Sequence, residues 1–122
     1  RRCEIESISE SQMILDIGSK TTQMISQYIY KSKLILWNGP LGAFEYPSFA
    51  ESSIKIANII KSRSVNSEII SIAGGGDTNS VIKIAKAKDG FSYISNAGGA
   101  FLEWLEGNGS PGFNAIEENN IN

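Results

Sequence analysis

The segment of this sequence that most clearly indicates a binding or catalytic site is Gly74-Gly75-Gly76-Asp77-Thr78. Three glycines let backbone N–H groups approach a ligand without side chains in the way, and a helix N-terminus after them attracts anions. Asp77 places a carboxylate beside that anion, which requires a cation between the two charges, and Mg²⁺ suits such a position. Thr78 offers a hydroxyl and an amide to the same group. The alternative is a plain strand-to-helix turn that Asp77 caps.

A second segment of interest, 37–45, follows an apolar run. Asn38 could bridge a phosphate oxygen or a metal-bound water, and Glu45 could accept two hydrogen bonds from a ribose diol. A hydrogen bond to a charged acceptor is worth about 1.5–3 kcal/mol. The alternative is a loop stiffened by proline and glycine, in which Trp37 and Phe44 fill the core.

A third segment, Ala97-Gly98-Gly99, is another amide-rich helix start. Opposite the first, it could hold a transferring phosphoryl group; a simple turn of small residues is the alternative. Asp16 ends an apolar run and Lys20 stands at a helix start, the less favourable end for a cation. That conflict indicates a ligand or partner charge nearby.

Short apolar runs and amphipathic stretches alternate along the chain. They predict strands at 13–17, 34–37, 68–73 and 91–94. They predict helices at 20–31 after a Ser19 cap, from a Ser48 cap to about 61, from an Asp77 or Thr78 cap to about 87, and at 100–105. This rhythm predicts an α/β fold, a three-layer doubly wound (Rossmann-like) sheet of four parallel strands. Such sheets bind ligands in the loops at the carboxyl ends of their strands.

Composition narrows the classes of function. The 122 residues are 41% hydrophobic with a net charge of −2, so we expect one globular domain without the basic field that nucleic acid or an anionic membrane would need. No apolar run approaches the roughly 18 residues of a membrane span. The chain has no histidine, which excludes Ser-His-Asp and Cys-His sites and the usual zinc sites, and its single Cys3 cannot form an internal disulfide.

Four blocks of sequence, in order and spacing, resemble phosphoglycerate kinase. They are 15–21, 37–45, 74–78 and 97–103, with the sequences LDIGSKT, WNGPLGAFE, GGGDT and AGGAFLE. The resemblance implies a two-lobed cytoplasmic glycolytic kinase, a monomer. Such a kinase moves a phosphoryl group between 1,3-bisphosphoglycerate and Mg-ADP, with ATP and 3-phosphoglycerate on the other side.

The resemblance also implies roles for particular residues in the carboxyl-terminal, nucleotide-binding lobe. Glu45 would contact the ribose, Asn38 and Pro40 would line the nucleotide cleft, and Ala43 or Leu41 would flank the adenine. The residues that would meet the phosphates are Gly75, Gly76 and Thr78, with Mg²⁺ on Asp77 and the transferring phosphoryl group at the helix start of Gly98 and Gly99. Two positions depart from the family pattern: Ser19 replaces a usual Pro, and Asn96 a usual Thr.

The resemblance covers only the last third or so of that enzyme. We therefore expect residues 1–106 to be a partial carboxyl-terminal, nucleotide-binding α/β domain and 107–122 a carboxyl-terminal tail. The substrate lobe, with its Arg and His residues, would lie outside this sequence, and the 122 residues alone are expected to be inactive. Two alternatives stay open: a stand-alone module that binds nucleotide or phosphate without turnover, and an inactive remnant.

Overall fold

The computed structural model of this chain describes residues 3–107. In chain order its helices and strands are α1 (Ser19–Lys31), β1 (Leu34–Asn38), α2 (Glu51–Val65), β2 (Ile70–Gly74), α3 (Gly76–Ile84), β3 (Tyr93–Ser95) and α4 (Gly98–Leu105). Short 3₁₀ turns occupy Ile5–Ser7, Pro47–Phe49 and Lys88–Gly90. No helix in this part of the chain is long and apolar enough to cross a membrane.

Strand β2 lies between β1 and β3, and both of its pairings are parallel. Helices α2 and α3 form the crossovers, because parallel neighbours need a long connection. Asn38 lies opposite Gly74, and Gly74 lies opposite Ser95. The predicted parallel α/β sheet is confirmed, and the carboxyl ends of its three strands meet at one edge.

The strand predicted at 13–17 is wrong, since residues 3–33 contain no strand. A strand needs a hydrogen-bonded neighbour, and this segment has a loop beside it: the Ala43 amide donates to the Leu15 carbonyl at 2.8 Å. Met13 and Ile14 are 79% and 65% exposed. The apolar pattern that predicts a strand here is therefore not buried against the sheet.

One face of the sheet forms the core. Trp37 of β1 and Ala73 of β2 pack there against residues of α2 and α3, among them Ile60 and Val81. The Trp37 and Phe91 rings have centroids 6.3 Å apart. Phe44 packs at the edge of the same cluster. Trp37 and Phe44 thus contribute to the core, which agrees with the interpretation of segment 37–45 as a loop whose aromatic residues fill the core.

The opposite face of the sheet is largely open within residues 3–107. Its exposed apolar side chains come from all three strands: Leu34, Leu36, Ile70 and Tyr93. Strand register places Leu34 beside Ile70. A continuous apolar run such as that of β1 is typical of a strand covered on both faces, whereas within the described residues β1 is buried on one face.

Several helices start or end away from their predicted positions. Gly18, not Ser19, is the N-cap of α1, and α2 starts at Glu51 because Pro47 first sets a 3₁₀ turn. Gly75 is the N-cap of α3, so neither Asp77 nor Thr78 caps that helix. Helix α3 ends at Ile84, short of 87, and Lys86 follows with a left-handed φ of 52°.

The predicted boundary between domain and tail lies at the end of the described chain. Residues 108–122, which form most of the predicted tail, lie outside it. The division into a domain at 1–106 and a tail at 107–122 stays a prediction.

Candidate functional site

The loops after the three strands bring the predicted site residues together. Strand β2 runs into Gly75, which has φ 95° and ψ 149°, a conformation open to glycine and strained for other residues. Its amide donates to the Ser95 carbonyl at the end of β3 (3.1 Å). The glycine turn is thus bonded to the neighbouring strand end, and α3 starts immediately after it.

Helix α3 begins with uncapped amides. No side chain makes a cap hydrogen bond there, and the first intrahelical bond runs from the Asn79 amide to the Gly75 carbonyl (3.1 Å). The N–H groups of Gly76, Asp77 and Thr78 precede that bond and have no intrahelical acceptor. Asp77 is exposed in this first turn. The structure therefore does not support the interpretation of Asp77 as a helix cap, and it leaves a carboxylate beside free amides.

The start of α4 lies directly against the glycine turn. A Cβ atom placed on Gly98 would collide with Asn38 Oδ1 and would lie 2.7 Å from the Gly75 nitrogen and 2.9 Å from its Cα, so only glycine fits without a shift of these neighbours. Gly98 is buried, whereas Gly99 is exposed. The amino ends of α3 and α4 are therefore neighbours at one edge of the sheet, and both dipoles favour negative charge there.

Asn38 sits against this junction. Its Oδ1 lies 3.2 Å from where a Cβ of Gly75 would be and 3.4 Å from that of Gly74. Asn38 is exposed overall. Its side chain therefore borders the two helix starts and keeps a polar surface toward solvent.

The Thr78 side chain makes its hydrogen bond within the chain. The side chain is fully buried, and its hydroxyl accepts a hydrogen bond from the Gly39 amide at 2.7 Å. The Trp37 indole N–H donates to the Gly39 carbonyl at 2.6 Å. The Thr78 hydroxyl thus fixes the loop after β1 onto α3, and its backbone amide is the group that faces the helix start.

The loop after β1 is held by its backbone. The Leu41 amide donates to the Ser53 hydroxyl (2.9 Å), and the Ala43 amide to the Leu15 carbonyl (2.8 Å). Pro40, Leu41 and Ala43 are half-buried, while Glu45 is exposed. The structure therefore fixes the backbone of this loop and leaves the Glu45 carboxylate in solvent.

The charges at Asp16 and Lys20 have partners within the chain. The Asp16 carboxylate accepts from the Ile17 amide (2.8 Å) and from the hydroxyl of Ser52 in the first turn of α2 (2.9 Å). A carboxylate at a helix start is favourable. Lys20 pairs with Glu4 at 2.6 Å, with both side chains exposed. These intramolecular partners explain the positions of the two charges, so no ligand charge is needed to account for them.

Sequence reasoning missed Asn79 as a site residue. Its Nδ2 donates to the Asn96 side chain at 2.5 Å and to the Ser95 carbonyl at 3.3 Å, so α3 holds the loop that leads into α4. The available signal was an amide side chain one turn after the glycines and another just before Ala97.

Two further observations concern where a metal ion or another ligand could bind. Residues 3–107 contain no cluster of three or more His, Cys, Asp or Glu side chains that could hold a metal by themselves. An open depression of about 320 Å³ lies at the opposite, amino-terminal edge of the sheet, lined by residues such as Lys33, Glu68 and Ser92. It contains none of the predicted site residues.

A parallel sheet with two helix N-termini at its carboxyl edge places the chain among the α/β proteins, whose ligand sites lie in the loops after the strands. Residues 1–108 match the family model for phosphoglycerate kinase. The chain therefore belongs to the phosphoglycerate kinase family.

Individual relatives agree with that assignment. The chain is 41% identical over 115 residues to phosphoglycerate kinase of Chelativorans sp. (strain BNC1), covering 94% of this chain and 29% of that protein. It is 45% identical over 116 residues to the Bartonella tribocorum enzyme, with 95% and 29% covered. The phosphoglycerate kinase structure from Coxiella burnetii superposes with a TM-score of 0.77 at 35% identity, covering 86% of this chain and 26% of that one. The chain thus spans under a third of the length of the relatives it matches.

Proposed function

We propose that this chain supplies the Mg-nucleotide half of a phosphoglycerate kinase active site. The enzyme would be a cytoplasmic, monomeric glycolytic kinase that transfers a phosphoryl group between 1,3-bisphosphoglycerate and ADP. One observation carries the proposal: the start of α4 packs against the glycine turn at the start of α3. Two sets of helix amides are thereby directed to one place, with Asp77 beside them.

The phosphates are the part of the nucleotide that the geometry fits best. We assign them to the backbone N–H groups of Gly75, Gly76 and Thr78 at the start of α3. The Gly75 amide also donates to Ser95, so Gly76 and Thr78 carry more of this role. Gly98 and Gly99 would stabilise the transferring phosphoryl group from the other helix. Phosphoryl transfer depends mainly on positioning and charge stabilisation, which backbone amides provide without rearrangement.

Asp77 fits a magnesium ion that arrives with the nucleotide. Mg²⁺ is commonly bound through one or two carboxylates together with substrate phosphates. A single exposed carboxylate beside phosphate-binding amides matches that donor set, and the described chain has no acidic cluster that would hold the ion alone. When bound, Mg²⁺ neutralises phosphate charge.

The nucleoside is assigned to the loop after β1. Asn38 and Pro40 would line the cleft, Ala43 or Leu41 would flank the adenine, and Glu45 would accept from the ribose hydroxyls. The backbone bonds of Leu41 and Ala43 support this assignment, because they fix the loop before any ligand binds. The carboxyl-group substrate would bind to parts of the enzyme outside these 122 residues, which contain three Arg and no His.

Calorimetric titration of the purified 122-residue chain, after circular dichroism has established that it is folded, tests the nucleotide half. We expect Mg-ADP to bind and ADP with EDTA to bind at least tenfold more weakly, with that difference lost in Asp77→Asn. A coupled assay should find turnover only in the full-length enzyme. A folded chain that does not bind Mg-ADP would favour the hypothesis of an inactive remnant. Binding of Mg-ADP without turnover in the full-length protein would favour the hypothesis of a stand-alone binding module.

A further inference from the structure

The loop that leads into α4 is held by α3 through a side-chain pair. Asn79 lies in the second turn of α3, and Asn96 lies between β3 and Ala97. The Asn79 Nδ2 donates to the Asn96 Oδ1 at 2.5 Å and to the Ser95 carbonyl at 3.3 Å. One amide group thus contacts two consecutive residues of the loop.

The orientation of the Asn79 side chain is fixed by these two acceptors. Only the nitrogen end of the amide can donate to both oxygens, so a rotated amide would place its oxygen against the Ser95 carbonyl. The Asn79 Oδ1 is buried without a hydrogen-bond partner, which costs free energy. The hydrogen bonds of the Asn79 side chain are therefore the two that its nitrogen donates.

The loop so held determines where α4 starts. Ser95 also accepts from the Gly75 amide (3.1 Å), and its hydroxyl accepts from the Ala97 amide (3.1 Å). Gly98 then follows in contact with Gly75. The backbone contacts join the two helix starts, and the Asn79–Asn96 pair adds a side-chain restraint on the loop between β3 and α4.

We infer that Asn79 and Asn96 form a positioning pair that sets the spacing between the amides of α3 and those of α4. This inference rests on the proposed function, because the spacing matters where a phosphoryl group lies between the two helices. Neither side chain needs to touch the substrate. The pair would act on the transition state more than on nucleotide binding, since the nucleotide is assigned to α3 and the loop after β1.

A double-mutant cycle in the full-length enzyme tests the pair. We expect Asn96→Ala and Asn79→Ala each to lower kcat about tenfold, equivalent to ~1.4 kcal/mol, with KM for Mg-ADP within about twofold of the unmodified enzyme. Both variants remove the contact between Asn79 and Asn96, and Asn79→Ala also removes the bond to Ser95, so the double variant should be no worse than the more impaired single variant. Asn58→Ala, an exposed asparagine of α2, is the matched control and should keep normal kcat.

Solution NMR on the 122-residue chain separates this inference from the proposed function. We expect the Asn79 side-chain amide protons to shift on Asn96→Ala, and the Gly98 and Gly99 amide resonances to shift on Asn79→Ala. An unmodified enzyme without kinase activity would overturn the proposed function and leave the pair visible by NMR. Additive losses in the cycle, a loss confined to KM, or unchanged Gly98 and Gly99 amide resonances in Asn79→Ala would overturn the pair.

Discussion

Gly98 and Gly99 are neighbours in sequence with opposite surroundings. A side chain at Gly98 would collide with the backbone of Gly75, while one at Gly99 would meet nothing within 4 Å. The same contrast separates Gly75, which borders Asn38 and has a positive φ, from Gly76, where a Cβ atom would also meet nothing. Packing explains why Gly75 and Gly98 are glycines. Gly76 and Gly99 are exposed, and no contact within the chain requires glycine at these two positions.

The contrast divides the site into two sets of residues. The packed set, Gly75 and Gly98, holds the two helix starts together. The open set, Gly76, Asp77 and Gly99, is exposed at the same place. Changes in the packed set should therefore alter stability, and changes in the open set should alter chemistry at nearly constant stability.

The largest effect is expected in the open set, at Asp77. In the full-length enzyme Asp77→Ala should lower kcat about a hundred- to a thousandfold, because loss of one group that stabilises transition-state charge costs ~3–4 kcal/mol. Since α3 has no side-chain cap, stability should fall by less than the ~1 kcal/mol of a lost cap. Steady-state kinetics across Mg²⁺ concentrations and a melting curve measure both effects, with Asp89→Ala as control. A normal kcat with a lowered Tm would refute the metal assignment.

Gly98→Ala should produce the largest loss of stability. The new Cβ atom would press on the Asn38 side chain and on the Gly75 backbone, which cannot move aside as a flexible side chain can, and overpacking of this kind costs about 1–3 kcal/mol. The helix starts would also separate, so kcat should fall as well. Urea unfolding of the full-length enzyme measures the stability change. A variant as stable as the unmodified protein would show that the two helix starts are not held in contact.

Glu45→Ala should affect binding alone. A ribose contact is present in the ground state and in the transition state alike, so its loss should raise KM for Mg-ADP about tenfold, or ~1.4 kcal/mol, and spare kcat. Initial rates over a range of Mg-ADP concentrations measure this, and Glu10→Ala, another exposed glutamate, is the control. A fall in kcat at unchanged KM would contradict the assignment of Glu45 to the ribose.

Gly99→Ala should give the smallest change in stability, within about 0.5 kcal/mol, because the new methyl group meets nothing in the chain. It should nevertheless lower kcat, since that methyl group would stand where the phosphoryl group is assigned. Measured beside Gly98→Ala, this variant tests the division of the site directly. Equal losses of stability at the two positions would contradict it.

Local features of the site were predictable because short stretches of sequence encode them. The order of apolar run, glycines and helix predicts β2, Gly75 and α3 in sequence, and the small residues 97–99 predict the start of α4. The confirmed strands β1, β2 and β3 each follow one helix and precede the next along the chain. The segment at 13–17 has a similar apolar pattern and is not a strand, because strand formation depends on a neighbouring strand that the segment itself does not specify.

The sequence alone determined the parallel α/β class, the glycine turns and the edge of the sheet at which they meet, since periodicity and turn chemistry act over a few residues. Only the tertiary structure decided that the Thr78 hydroxyl is buried against Gly39, 39 residues away, and that Asp16 meets Ser52, 36 residues away. It also decided that Gly98 is packed while Gly99 is open, and that Asn79 reaches Asn96. These contacts depend on strand order and register, which bring distant segments together and which no local pattern specifies.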